Sequence, residues 1–151
     1  MPNGGRPSET NETLRTRWLE IVDADGCVTM VLEAGADGPT IALKDPAGVI
    51  RAKLRLTKNG PMFVLYGETG TKRLACGVRD SEPRFELFDD DAVKRAVIAV
   101  VGAGKDLKTA LVLLDEEGNR RLVAGLSEEP ELCMNDRSEH VTWKAKKSDG
   151  K

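Results

Sequence analysis

A repeat constrains this chain more than any single residue does. The segments VDADG (22–26), KDPAG (44–48), YGETG (66–70), FDDDA (88–92), LDEEG (114–118) and NDRSE (135–139) begin 22, 22, 22, 26 and 21 residues apart. Four and two places before each aligned Asp or Gly stand Leu19/Ile21, Ile41/Leu43, Phe63/Leu65, Phe85/Leu87, Leu111/Leu113 and Leu132/Met134, all apolar. Seven and nine places after it stand Met30/Leu32, Ala52/Leu54, Leu74/Cys76, Ala96/Ile98, Leu122/Ala124 and Trp143/Ala145, again all apolar. A period of two on both sides of a turn signal gives each unit two short strands, each with one face expected to be buried.

The turn has a mechanism. An Asp at its start accepts backbone N–H bonds, and a Gly three residues on takes the positive φ that closes a type I turn with a bulge. The structural turn residues are therefore Asp23, Gly26, Asp45, Gly48, Gly70, Asp89, Asp115 and Gly118. Links between units are marked by Gly38-Pro39, Gly60-Pro61, Glu82-Pro83 and Glu129-Pro130, where Pro sits at a point that needs no ladder donor. Gly102 to Asp106 replaces that link in the fourth unit and accounts for its extra length.

Twelve strands exceed what a strongly twisted open sheet usually sustains. The expected fold is all-β, with about six hairpin units of 22 residues in a closed barrel-like, prism-like or sandwich arrangement. A β-solenoid or trefoil-like body is the alternative. A polar, disordered tail is expected over 1–12, a single hairpin-repeat domain over 13–146 and a basic tail over 147–151. Between the buried positions of the second unit stand Lys53 and Arg55, a strand with water on one side. Later units have Ala75/Gly77, Val97/Ala99 and Val123/Gly125 there, joined by Val64/Tyr66 and Val112/Leu114. Those strands read as covered on both faces, by the sheet folding back or by another copy of the chain.

Composition narrows the function classes. Lys+Arg 23 against Asp+Glu 25 gives a net charge of −2, which leaves no global positive field for dedicated nucleic-acid binding. One His and 4% aromatic residues supply little for metal sites, imidazole catalysis or base stacking. Cys27, Cys76 and Cys133 form no CxxC pair and read as free thiols in a reducing, cytoplasmic setting; Cys76, at a repeated core position, is expected to be inert. No apolar run is long enough for a membrane span, and no secretion signal accompanies the Asn11-Glu12-Thr13 glycosylation pattern.

Several motifs resolve into scaffold. Val100 to Lys105 resembles a phosphate loop, but Ala99 stands where a Walker loop needs its first Gly and Asp106 where it needs Ser or Thr. Asp23/Asp25 and Asp89-Asp90-Asp91 suggest calcium, yet both fall on the repeated turn without the long loop or closing Glu of a calcium hand. His140 has no second His. Ser81, Ser127 and Ser138 lack a nucleophile elbow. Lys144, Lys146, Lys147 and Lys151 make only a weak basic patch.

Arginine recurs six residues after the turn start as Arg51, Arg73, Arg95 and Arg121, with Thr29 and Thr142 in the terminal units. These four are the candidate surface or interaction residues, read as hairpin-closing ion pairs or as a ligand stripe. No catalytic residue, metal ligand or cofactor is assigned. The expected function is a non-enzymatic structural or protein-interaction module that self-associates as a homo-oligomer. The alternatives are a small-ligand-binding domain with pockets between hairpins, and a hydrolase with its site at an oligomer seam.

Overall fold

The computed structural model describes residues 13–102, 108–126 and 130–145. In order, its strands are β1 (Trp18–Val22), β2 (Val28–Gly35), β3 (Gly38–Lys44), β4 (Ile50–Thr57), β5 (Gly60–Tyr66) and β6 (Lys72–Arg79), followed by β7 (Glu82–Phe88), β8 (Lys94–Val101), β9 (Lys108–Leu114), β10 (Arg120–Leu126), β11 (Pro130–Asn135) and β12 (Val141–Lys144). They form one antiparallel sheet whose spatial order is the chain order. The expectations for Asn11, Ala103 to Asp106, Ser127, Lys146, Lys147 and Lys151 lie outside the described residues. Among the described residues no helix is long and apolar enough to cross a membrane.

The expected closure is overturned. The sheet is an open meander, neither closed into a barrel nor strongly curled, and each strand touches only its sequence neighbours. It is therefore not a prism, a sandwich or a trefoil within one chain, and its antiparallel pairing excludes the parallel solenoid. Register explains the openness. Leu32 faces Ile41, Ile41 faces Leu54, Leu54 faces Phe63, Phe63 faces Cys76, Cys76 faces Phe85 and Phe85 faces Ile98. The row continues through Leu111, Ala124 and Leu132. A barrel requires the register to stagger around its circumference. Here none accumulates, and the end strands, with five and four residues, are too short to pair at the offset closure would need.

Hairpin chemistry holds that register at both ends of the strands. At the representative turn, Asp45 Oδ1 accepts from the amides of Ala47 and Val49, each at 3.0 Å. The Gly48 amide donates to the Asp45 carbonyl at 2.9 Å. Asp23, Asp89, Asp115 and Asp136 accept the same pair of amide bonds in their own units. Gly26, Gly48, Gly70 and Gly118 take φ of 78–85°, while Ala92 and Glu139 occupy the equivalent place at 61° and 60°. Each such turn is followed by a register shift, the single-residue bulge.

The opposite links are tighter. Asp80 and Ser81 both have positive φ, 52° and 70°, the signature of a two-residue I′ hairpin. Gly60 opens β5 at φ 125° beside the Val78 carbonyl oxygen of β6, inside the space a Cβ would take. Gly48 has open space around it. Gly60→Ala should therefore cost more than Gly48→Ala, about 2–3 kcal/mol against about 1 kcal/mol. Urea unfolding of the two variants would check the order.

Candidate functional site

The pleat sorts the side chains into two faces that differ in chemistry along the whole sheet. One, the aliphatic face, carries the row from Leu32 to Leu132 described above. It also carries a second row: Ile21, Met30, Leu43, Ala52, Leu65, Leu74, Leu87, Ala96, Leu113, Leu122, Met134 and Trp143. A third, beside the tight links, includes Pro39, Leu56, Pro61, Val78 and Pro83. The other, mixed face carries Val31, Ala42, Lys53, Val64, Ala75, Glu86 and Val97 along its middle.

Burial is inverted relative to the sequence expectation. Among the described residues every buried one, Val31, Ala42, Val64, Ala75 and Cys133 included, is on the mixed face. Ile41, Leu54, Phe63, Phe85, Ile98 and Leu111, read from sequence as core, are 37% to 50% exposed, and Cys76 is half-buried. With only one layer, small residues are covered by long neighbours on their own face. Val64, Ala75 and Phe88 cluster under Met62 and Tyr66, and the Lys72 ammonium lies 3.8 Å from the Phe88 ring centroid. Between β2 and β11 the rows of the aliphatic face hold no Asp, Glu, Lys or Arg that could fold over their neighbours, so many of their Leu and Phe side chains face outward.

The four arginines lie on the mixed face, on alternate strands, and each is matched within the chain. Arg51 pairs with Asp45 at 3.2 Å, Arg95 with Asp89 at 2.7 Å and Arg121 with Asp115 at 3.6 Å, whereas Arg73 reaches Asp90 of the neighbouring unit. Arg73 and Arg121 also donate through Nε to the carbonyls of Phe88 and Asn135. Pairs this exposed are worth about 0–1 kcal/mol. Their geometry serves the hairpin edges and leaves these guanidinium groups already partnered.

A charge cluster that sequence reasoning did not single out surrounds Glu86 on β7. Its side chain is 3% exposed, bonded to Lys94 Nζ at 2.6 Å and 3.9 Å from Arg84, which also holds Glu82 at 2.7 Å. Desolvation lowers the Lys72 pKa, with the nearby Glu86 charge opposing the shift. The signal in the sequence was an acid at a middle-row position that is apolar in the neighbouring units. A buried carboxylate already compensated by a lysine is a packing element.

Reactive groups are muted or isolated. Burial, and then the Glu131 carboxylate that accepts its S–H at 3.4 Å, pushes the Cys133 thiol upward, away from the reactive thiolate. His140 Nδ1 lies 3.7 Å from Asp136 on the exposed last turn. Among the described residues no group of three or more His, Cys, Asp or Glu converges for a metal ion. A trough of about 670 Å³ crosses one end of the aliphatic face, lined by Leu19, Leu32, Ile41, Leu54 and Leu56 together with Arg17, Glu33 and Arg55. Neither protein-family models nor curated proteins match this sequence.

Acid stability follows from the turn carboxylates. Burial opposes ionisation of Asp45, Asp89 and Asp115, but the amide donors Val49, Val93 and Asn119 and the paired arginines outweigh it and hold all three low. Bonds from the Arg120 side chain, then its amide, lower Glu139 from 4.5 to about 2. A lowered folded-state pKa adds stability above the unfolded value, which is lost as pH falls through the folded one. Stability to urea should therefore fall between pH 4.5 and about 2. Glu139→Gln should make that fall shallower while lowering stability at pH 7.

Proposed function

We propose that this chain is a non-catalytic interaction module whose working surface is the aliphatic face. The observation that supports it is the outward exposure of Leu, Ile and Phe side chains in apolar rows that cross the sheet. Isolated exposed apolar residues are ordinary on protein surfaces, but contiguous patches beyond a few hundred Å² mark association sites. The mixed face has less need of a partner, because its small residues are covered within the layer and many of its charges are paired. Catalysis would require one constellation unlike its surroundings, whereas the repeat places the same residue types at equivalent sites. Small-ligand binding is the second reading, favoured by the trough at the β1–β5 end. Its volume is within the range of ligand pockets, about 300–1,000 Å³.

An environment-sensitive apolar dye and sedimentation velocity test the surface. Leu54→Lys combined with Ile98→Lys should abolish dye binding, association, or both, while circular dichroism retains the β-sheet signal. Lys53→Glu, on the mixed face, should change neither. Dye binding and association indifferent to the aliphatic face would overturn the interaction reading. The ligand reading instead expects Leu56→Lys, at the trough, to remove binding of a long-chain hydrocarbon without altering association.

A further inference from the structure

We propose that a second copy of this chain covers the aliphatic face, stacked face to face across a two-fold axis that runs parallel to the strands between β6 and β7. The pairing rests on reading that face as an interaction surface, and it names the occupant and the geometry. Three features support it: area, charge and relief.

Neighbouring strands are about 4.8 Å apart and alternate residues about 6.7 Å apart. Twelve strands and three apolar rows thus present a footprint on the order of 1,000 Å². Two copies would remove about 2,000 Å², the upper end of standard stable interfaces, and two-thirds overlap still clears about 1,200 Å². The three rows carry no Asp, Glu, Lys or Arg between β2 and β11, so the face offers a charged partner no complement. Apart from Thr109 on β9 these rows are apolar, and therefore chemically complementary to themselves, as an isologous contact requires.

Relief sets the axis. The small residues of the two principal rows, Ala52, Cys76, Ala96 and Ala124, lie on β4, β6, β8 and β10. The odd strands β3, β5, β7 and β9 carry a large residue at both positions. The face is thus ridged with a period of two strands, about 9.6 Å. A two-fold parallel to the strands sets β7 over the partner's β6 and β5 over its β8, so every odd strand meets an even one. It also keeps each row opposite itself, bringing Phe85 over the partner's Cys76. The perpendicular in-plane two-fold would stack β7 on β7, ridge against ridge. Stacked sheets diverge by about 30°, and a contact beside the axis is least affected.

The experiment is sedimentation equilibrium on the full chain, with light scattering on the eluted peak, up to about 100 μM. The expected species has twice the monomer mass. Cys76→Phe, which fills the groove at the axis, should weaken the dimer about tenfold or more. The exchange Cys76→Phe with Phe85→Cys should restore it to within about threefold, because large and small trade places both within the sheet and across the axis. Circular dichroism keeps folding separate from association, and the restored double variant decides the matter even if a single variant unfolds. A monomer whose dye binding still depends on Leu54 and Ile98 would overturn self-pairing and leave the interaction reading standing. A dimer indifferent to Cys76 and Phe85, or one abolished by Thr142→Pro in edge strand β12, would overturn the face-to-face geometry.

Discussion

Straight, unstaggered pairing is the constraint on which the rest of this molecule depends. Each hairpin places its apolar residues directly opposite those of its neighbours, so rows run across the sheet without drift. The Asp-to-amide turns at one end and the two-residue links at the other hold that alignment. A one-residue slip in any strand would turn its side chains to the wrong face. Keeping the register therefore keeps the two faces chemically distinct from one edge of the sheet to the other.

That separation makes the faces unequal partners in stability. On the mixed face, Ala75 reaches 1% exposure without a second layer, because Met62, Tyr66 and charged neighbours fold over the small positions. Glu86 belongs to the same device, its charge balanced by Lys94 where water is excluded. The aliphatic face lacks such cover. Covering apolar surface contributes about 25 cal/mol per Å² before the costs of association are subtracted, so a partner over this face stabilises the sheet and the complex together. Stability then becomes concentration-dependent, as for any fold whose partner binds only the native state.

Much of the local fold was legible in the sequence. The six-fold spacing located both strands and the turn of each unit, since Asp and Gly at fixed offsets answer a local need for amide acceptors and positive φ. Closure was not legible. It depends on register stagger, and a period-two pattern reads the same whether the rows run straight or tilt. Nor was the location of burial: Leu54, Phe63 and Phe85 have the hydrophobicity of a core, yet a single layer has no interior. Val64 and Ala75 were read as covered from a second side, when the cover came from side chains beside them. Glu86 was overlooked because one acid among 25 announces nothing until its neighbours enclose it. The arginines were visible as a series, but the crossing of Arg73 to Asp90 follows from Gly67 occupying the turn start of its own unit, which leaves no carboxylate there.

Repetition also bears on what kind of function such a surface can support. A catalytic centre requires donors preorganised around one developing charge, and near-identical units spread their polar groups instead of converging them. Association makes the opposite demand, for area and complementary shape, and repetition supplies both at once. It brings a hazard, because identical units could slide past one another by a whole period. The chain departs from uniformity near the middle of the sheet, where phenylalanine occupies the first row only on β5 and β7, flanking Cys76 on β6. A slide of one hairpin that takes Phe85 from the Cys76 groove to Leu54 brings Phe63 into that groove instead, so the aromatic pair alone would not choose between the two. In the proposed pairing it is overlap that separates the alignments: a two-fold between β6 and β7 covers all twelve strands, whereas a slide of one hairpin would leave two strands of each copy uncovered.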